Sequence, residues 1–239
     1  MPMAPGMAVN DLVLVQGMAD TRAALSRWNR APGSVLWPWL GLSLLTAVAL
    51  LSAVYVVAKF STPDSTRYAI PGFSSDPTLS DYGHILLRNS LVLALHALAC
   101  VAGFMAGASM PLAASQRQGL SRWVHEKAGP FAIAFVAGAT IFSLLTQAYV
   151  IGGSASSIAA QLGLSPGALI VALVPHALPE LVALFLPLAA WLVASRNDRW
   201  DELLAATFVT VAIAVPVLLA SGAVELFVFP ELLSGLTAR

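Results

Sequence analysis

His176 and Glu180 stand four residues apart in the segment Val174-Pro175-His176-Ala177-Leu178-Pro179-Glu180, in the middle of an apolar run at 166–195. On a helix they share one face and can hydrogen-bond. An imidazole and a carboxyl at that spacing can pass a proton, hold an ion or lock one helix to another. Ionisable groups at membrane depth are costly, and by default they mark a functional site. Pro175 and Pro179 are also four apart. Neither has an N–H to donate, so the carbonyls of Val171 and Pro175 lose their helical partners. Such gaps persist at membrane depth only when buried in protein or lining a wet cavity.

Five further polar residues interrupt apolar runs: Arg88, Asn89, His96, Gln147 and Glu225. If the runs cross a membrane in alternating directions, all five fall in the outer half of the bundle, at a depth close to that of His176 and Glu180. A shared polar constellation is the simplest arrangement that supplies each with a partner. Three uses of it stay open: a structural lock that satisfies freed carbonyls, a proton or ion site, and a metal site. His96, His176 and Glu180 have donor types that suit zinc, but no His-Glu-x-x-His pattern occurs. No metal and no cofactor are expected. No Gly-x-Ser-x-Gly elbow is present, and the chain is not expected to be an enzyme. The single cysteine, Cys100, excludes an intrachain disulfide and reads as a small packing residue.

The elements that must carry these groups follow from composition. The chain is 58% hydrophobic and 10% charged, with a mean hydropathy of +0.81. Soluble domains carry about 25% charged residues. An all-α polytopic membrane bundle is the consequence, with spans expected at 35–60, 85–114, 130–152, 166–195 and 202–229. The fourth is expected to be irregular at Pro175 and Pro179, and to tilt, break or project beyond the bilayer. Residues 1–34 read as a cytoplasmic tail with an amphipathic stretch at 12–28, suited to the inner membrane surface. Residues 35–233 form the bundle and 234–239 a short tail. Asp11 and Asp20 break any signal-peptide pattern, so no cleavable leader is expected. In the second span, Gly103 and Gly107 form a small-xxx-small pair that permits close helix packing, with His96 nearly on the same face.

Eight basic residues fall on one side of this topology (Arg22, Arg27, Arg30, Arg117, Arg122, Lys127, Arg196 and Arg199), against Lys59, Arg67, Arg88 and Arg239 on the other. The positive-inside rule then places the N-terminus in the cytoplasm and the C-terminus outside. The formal net charge of zero draws no nucleic acid. The segment 61–84, rich in proline, serine and aspartate, reads as irregular, either a solvated connector or a partner-recognition loop. Expected partners are the lipid bilayer, other membrane or envelope proteins, and a second copy of the chain.

Pro175-His176-Ala177-Leu178-Pro179-Glu180 resembles the proline-histidine-glycine-x-x-glutamate signature of the stage II sporulation protein M family, with Ala177 in place of the glycine. Arg88-Asn89-Ser90 and the closing Glu225-Leu226-Phe227-Val228-Phe229-Pro230 are similar to further family features, and the resemblance spans 82–233. It implies an integral cytoplasmic-membrane protein with Pro230 at a helix end. The function expected is a non-enzymatic scaffold or subunit of a membrane complex, in envelope remodelling or transport. The alternative is a small-solute or proton-coupled permease that uses the His/Glu cluster.

Overall fold

The structure, a computed structural model, describes residues 13–110 and 118–238. Arg117, Arg239, the expected end of the second span and residues 1–12 lie outside the described residues. Seven α-helices are present among the described residues: α1 (Val13–Trp28), α2 (Pro32–Phe60), α3 (Leu79–Phe104), α4 (Gly119–Leu162), α5 (Pro166–Arg196), α6 (Leu203–Ala223) and α7 (Phe229–Thr237). A π-helical turn, Met105–Ser109, extends α3, and another, Val224–Val228, joins α6 to α7. Five segments are long and apolar enough to cross a membrane, in agreement with the five expected spans.

Chain punctuation explains the helix limits. Thr78 caps α3 in a capping box: its hydroxyl accepts from the Asp81 N–H at 3.2 Å, and its own N–H donates to Asp81 Oδ2 at 2.9 Å. The helix therefore starts six residues earlier than the expected position 85. Arg88 and Asn89 lie well inside it rather than at its mouth. α4 runs on past residue 152, the expected end of the third span, and closes in a Schellman motif at Gly163 (φ 67°). There the Leu164 N–H reaches the Ala159 carbonyl and the Gly163 N–H that of Ala160. Ser165 then caps α5, with Pro166 in its first turn. The charge-free segment 153–165 is thus mostly helix.

α5 is the central helix. It packs on α2, α3 and α6 and stays α-helical through Pro175, Pro179 and Pro187. The π-helical turns fall instead on α3 and after α6. Pro230 stands in the first turn of α7, not at a helix end as the resemblance implies. α4 holds the edge of the bundle, mainly against α2. At about 1.5 Å per residue its 44 residues reach about 66 Å, twice the roughly 30 Å hydrocarbon core. Only 6% of its spanning stretch is buried, against 44% for α5, so most of α4 is left to lipid or to another protein.

Ala148, Gly152 and Ser156 lie one turn apart on the buried side of α4. A β-carbon built at Gly152 would lie 2.9 Å from the Val54 carbonyl oxygen of α2. This is the backbone-close crossing that small residues permit. The expected pair has another use. Gly103 and Gly107 leave room for the indoles of Trp191 and Trp200, not for a neighbouring backbone.

The two ends are closed by chain outside the spans. α1 packs onto the bundle with Ala24 and Trp28 buried, rather than only lying along a membrane surface. Arg27 Nη2 donates to Glu202 Oε1 at 2.7 Å, and Arg199 pairs with the other oxygen of the same carboxylate. The arginines are about half exposed, so each pair contributes about 0–1 kcal/mol. Trp28 adds buried apolar surface to the same contact.

At the opposite end, the segment between α2 and α3 is largely exposed, as a connector would be, but it is docked at several points. Ile70 is buried with Phe229 and Leu233, and Phe73 packs beside them. Asp64 N–H donates to Ser157 Oγ, and Gln161 exchanges two hydrogen bonds with the Tyr68 backbone. The segment turns at Gly72 (φ 81°), which lies over the Leu226 carbonyl. That carbonyl is four residues before Pro230, whose missing N–H leaves it without its helical partner.

Candidate polar site within the bundle

The structure brings together four of the residues that sequence singled out. The Glu180 carboxyl of α5 faces the Asn89 amide of α3 and lies within electrostatic reach of Arg88 and Glu225. Glu225, on the π-helical turn after α6, is likewise within reach of Arg88. Three elements thus converge on one group: two carboxyls, one guanidinium and one amide. Such turns widen a helix locally and recur at functional sites. Glu180 Oε2 and Asn89 Nδ2 are both buried and neither has a hydrogen-bond partner. The two side chains approach each other without the distance and angle of a hydrogen bond.

His176 shares the α5 face with Glu180 but does not bond to it. Its ring is 5% exposed and meets the Phe229 ring edge-on, with centroids 5.1 Å apart. Its Nδ1 is buried without a partner. The expected His176–Glu180 hydrogen bond is replaced by a packing contact to α7. Pro175 and Pro179 lie on the exposed side of α5.

His96 and Gln147 stand apart from this group. His96 Nδ1 donates to the Leu184 carbonyl of α5 at 2.7 Å. A carbonyl only accepts, so the proton is on Nδ1. One turn further along α3, the Cys100 thiol donates to the Pro187 carbonyl at 3.1 Å. The pair forms a rung of side chain to backbone bonds across the α3–α5 contact, where Pro187 interrupts the α5 ladder. Cys100 is therefore more than a small packing residue, and Pro187, like Pro175 and Pro179 an imino acid inside an apolar helix, is the one sequence feature that could have drawn attention to this contact. Gln147 donates to Ser143 one turn back on α4, at 2.9 Å, and serves its own helix. Sequence reasoning also passed over Tyr82, whose hydroxyl donates to the Leu219 carbonyl of α6 at 2.9 Å.

Zinc would need both histidines at one point, and they have different neighbours. Among the described residues no group of three or more His, Cys, Asp or Glu could hold a metal ion.

This geometry moves the coupling expected of a mutant cycle. Glu180→Ala combined with Asn89→Ala is expected to show a coupling of at least about 0.5 kcal/mol, because the buried carboxyl and amide face each other. Glu180→Ala combined with His176→Ala is expected to be additive within about 0.5 kcal/mol. Thermal unfolding of the single and double variants in detergent measures both; a His176–Glu180 coupling larger than the Asn89–Glu180 one would reverse this assignment.

No family model matches the chain, and neither a curated protein nor a solved structure matches it.

Proposed function

We propose that the protein is a non-enzymatic scaffold or subunit of a complex in the cytoplasmic membrane, with its N-terminus inside and its C-terminus outside. The observation that carries this reading is the use made of polar side chains inside the bundle. His96, Cys100 and Tyr82 each donate to a backbone carbonyl of another helix. Such bonds lock helices against one another, at about 0.6 kcal/mol on average. The exposed edge helix α4 adds support, since a subunit needs a face for its neighbour. The excess of basic residues at the α1 end supports the orientation. The Pro175–Glu180 signature supports kinship with the sporulation protein M family, as part of the same proposal.

A specific observation favours a second reading, a proton-coupled or small-solute permease. Glu180 Oε2, Asn89 Nδ2 and His176 Nδ1 are buried without partners, and transport needs polar groups that remain available.

Glu180→Gln separates the two. It keeps the size of the side chain and removes the acid. The expected outcome is a protein that folds, assembles and co-purifies with its partners as the parent does. Co-purification from native membranes is run beside proton and solute flux in reconstituted vesicles. Intact assembly with loss of a flux that the parent shows would sink the scaffold reading and promote the permease.

A further inference from the structure

An open cleft of about 430 Å³ lies at the end of the bundle away from α1, between the docked segment after α2 and the far part of α4. Its volume falls in the range of small-molecule sites, about 300–1,000 Å³. One wall is a broad face of α4 that carries Tyr149 and Ser154 at its two edges and Ser157 between them. The other wall is loop, with Thr62, Asp64 and Tyr68.

The lining is selective in its chemistry. It includes no cationic side chain, so nothing in it neutralises a phosphate or a carboxylate. Val150 is its single aliphatic side chain, which is too little for an acyl chain. Hydroxyls dominate, and a hydroxyl can both donate and accept. The complementary ligand is one whose own groups do both, namely an uncharged polyol. Aromatic faces suit the apolar side of such a ring. Tyr149 is 73% exposed, so its phenol is open to a ligand.

The cleft is held in shape before any ligand arrives. Tyr68 Oη donates to Ser154 Oγ at 3.4 Å, and Ser157 Oγ accepts the Asp64 N–H at 3.1 Å. Asp64 Oδ1 accepts the Thr66 N–H at 2.9 Å. That bond, with the Thr66 side chain second, holds the Asp64 carboxyl below its ordinary value. Asp64 is therefore an acceptor at neutral pH. The position also fits: the cleft lies near the end of the apolar stretch of α4, and tyrosines concentrate where such stretches meet the membrane interface.

We propose that this cleft binds a neutral sugar ring, either free or as the headgroup of a glycolipid. The inference stands independently of the scaffold and permease readings. The test uses the full chain in phosphatidylcholine nanodiscs. Free probes are maltose, N,N′-diacetylchitobiose and mannose, followed by saturation-transfer NMR. The lipid probe is monoglucosyl diacylglycerol doped into the disc, followed by native mass spectrometry. Binding of a free sugar identifies a soluble ligand; retention of the glucosyl lipid alone identifies a headgroup. In either case Tyr149→Ala and Ser154→Ala are expected to weaken binding about tenfold or more, and Tyr149→Ala is expected to fold as the parent because the side chain is exposed. Absence of binding by all four probes would overturn the proposal, and so would binding that Tyr149→Ala leaves unchanged.

Discussion

Gly103→Val is expected to destabilise the protein by about 3 kcal/mol, at the upper end of overpacking costs. A β-carbon built at Gly103 would lie 2.5 Å from Trp191 Nε1 and 2.9 Å from Leu203 Cδ1. The indole is the neighbour that cannot yield. Trp191 is 2% exposed and Leu203 fully buried, in one cluster with Cys100, Phe104 and Ala194. A rigid indole cannot swing away as the end of a flexible side chain would, and α3 must move off α5 instead. That displacement would also stretch the His96–Leu184 and Cys100–Pro187 bonds, which span the same contact. Gly138→Val is the control, because nothing lies within 4 Å of a β-carbon there. It is expected to gain a few tenths of a kcal/mol, because valine is a better helix former than glycine. Thermal unfolding in detergent compares the two, and equal losses would show that the indole does not depend on the glycine.

Gly72→Ala is expected to release the docked segment without unfolding the spans. At φ 81°, an L-residue costs about 1–2 kcal/mol. The added β-carbon would also lie 2.5 Å from Pro230 Cγ and 2.7 Å from the Leu226 carbonyl oxygen. The oxygen belongs to backbone in a helical turn and does not move easily. A loss of one to two kcal/mol raises the open population roughly 5- to 30-fold. Arg67 supplies a trypsin site in the same segment, and proteolysis follows the open population when closing is fast. Cleavage after Arg67 should therefore speed up by that factor, while the thermal midpoint of the bundle changes little. Gly235→Ala, in α7 with no neighbour within 4 Å, should leave the cleavage rate as it is. Unaltered cleavage in Gly72→Ala would mean that the segment is not held at this turn.

What sequence by itself determined is the number of spans, their order and the residue types that do not belong in hydrocarbon. Those features are local. The length of an apolar run is set against the thickness of the bilayer, and helical hydrogen bonds close within a few residues, so neither needs a partner from elsewhere in the chain. The helix limits are local too: the Thr78–Asp81 capping box and the Gly163-Leu164-Ser165 turn lie in the chain itself, outside the apolar runs that mark the spans.

Only the tertiary structure decided which polar groups meet. Depth placed His96, His176, Glu180, Gln147 and Glu225 at one level, but contact also requires a rotation about each helix axis. A soluble helix declares that rotation through an apolar stripe. A membrane helix is apolar on every side, because lipid and protein interior are alike to its side chains. Glu180 therefore meets Asn89, Arg88 and Glu225 while His96 turns to Leu184 and Gln147 to Ser143, and no spacing along the chain could separate these outcomes. The same limit hid the occupants of the small residues. Gly103 and Gly152 look alike in sequence, yet one accommodates an indole and the other a crossing helix, because the size of a gap is local whereas what fills it comes from a distant part of the chain.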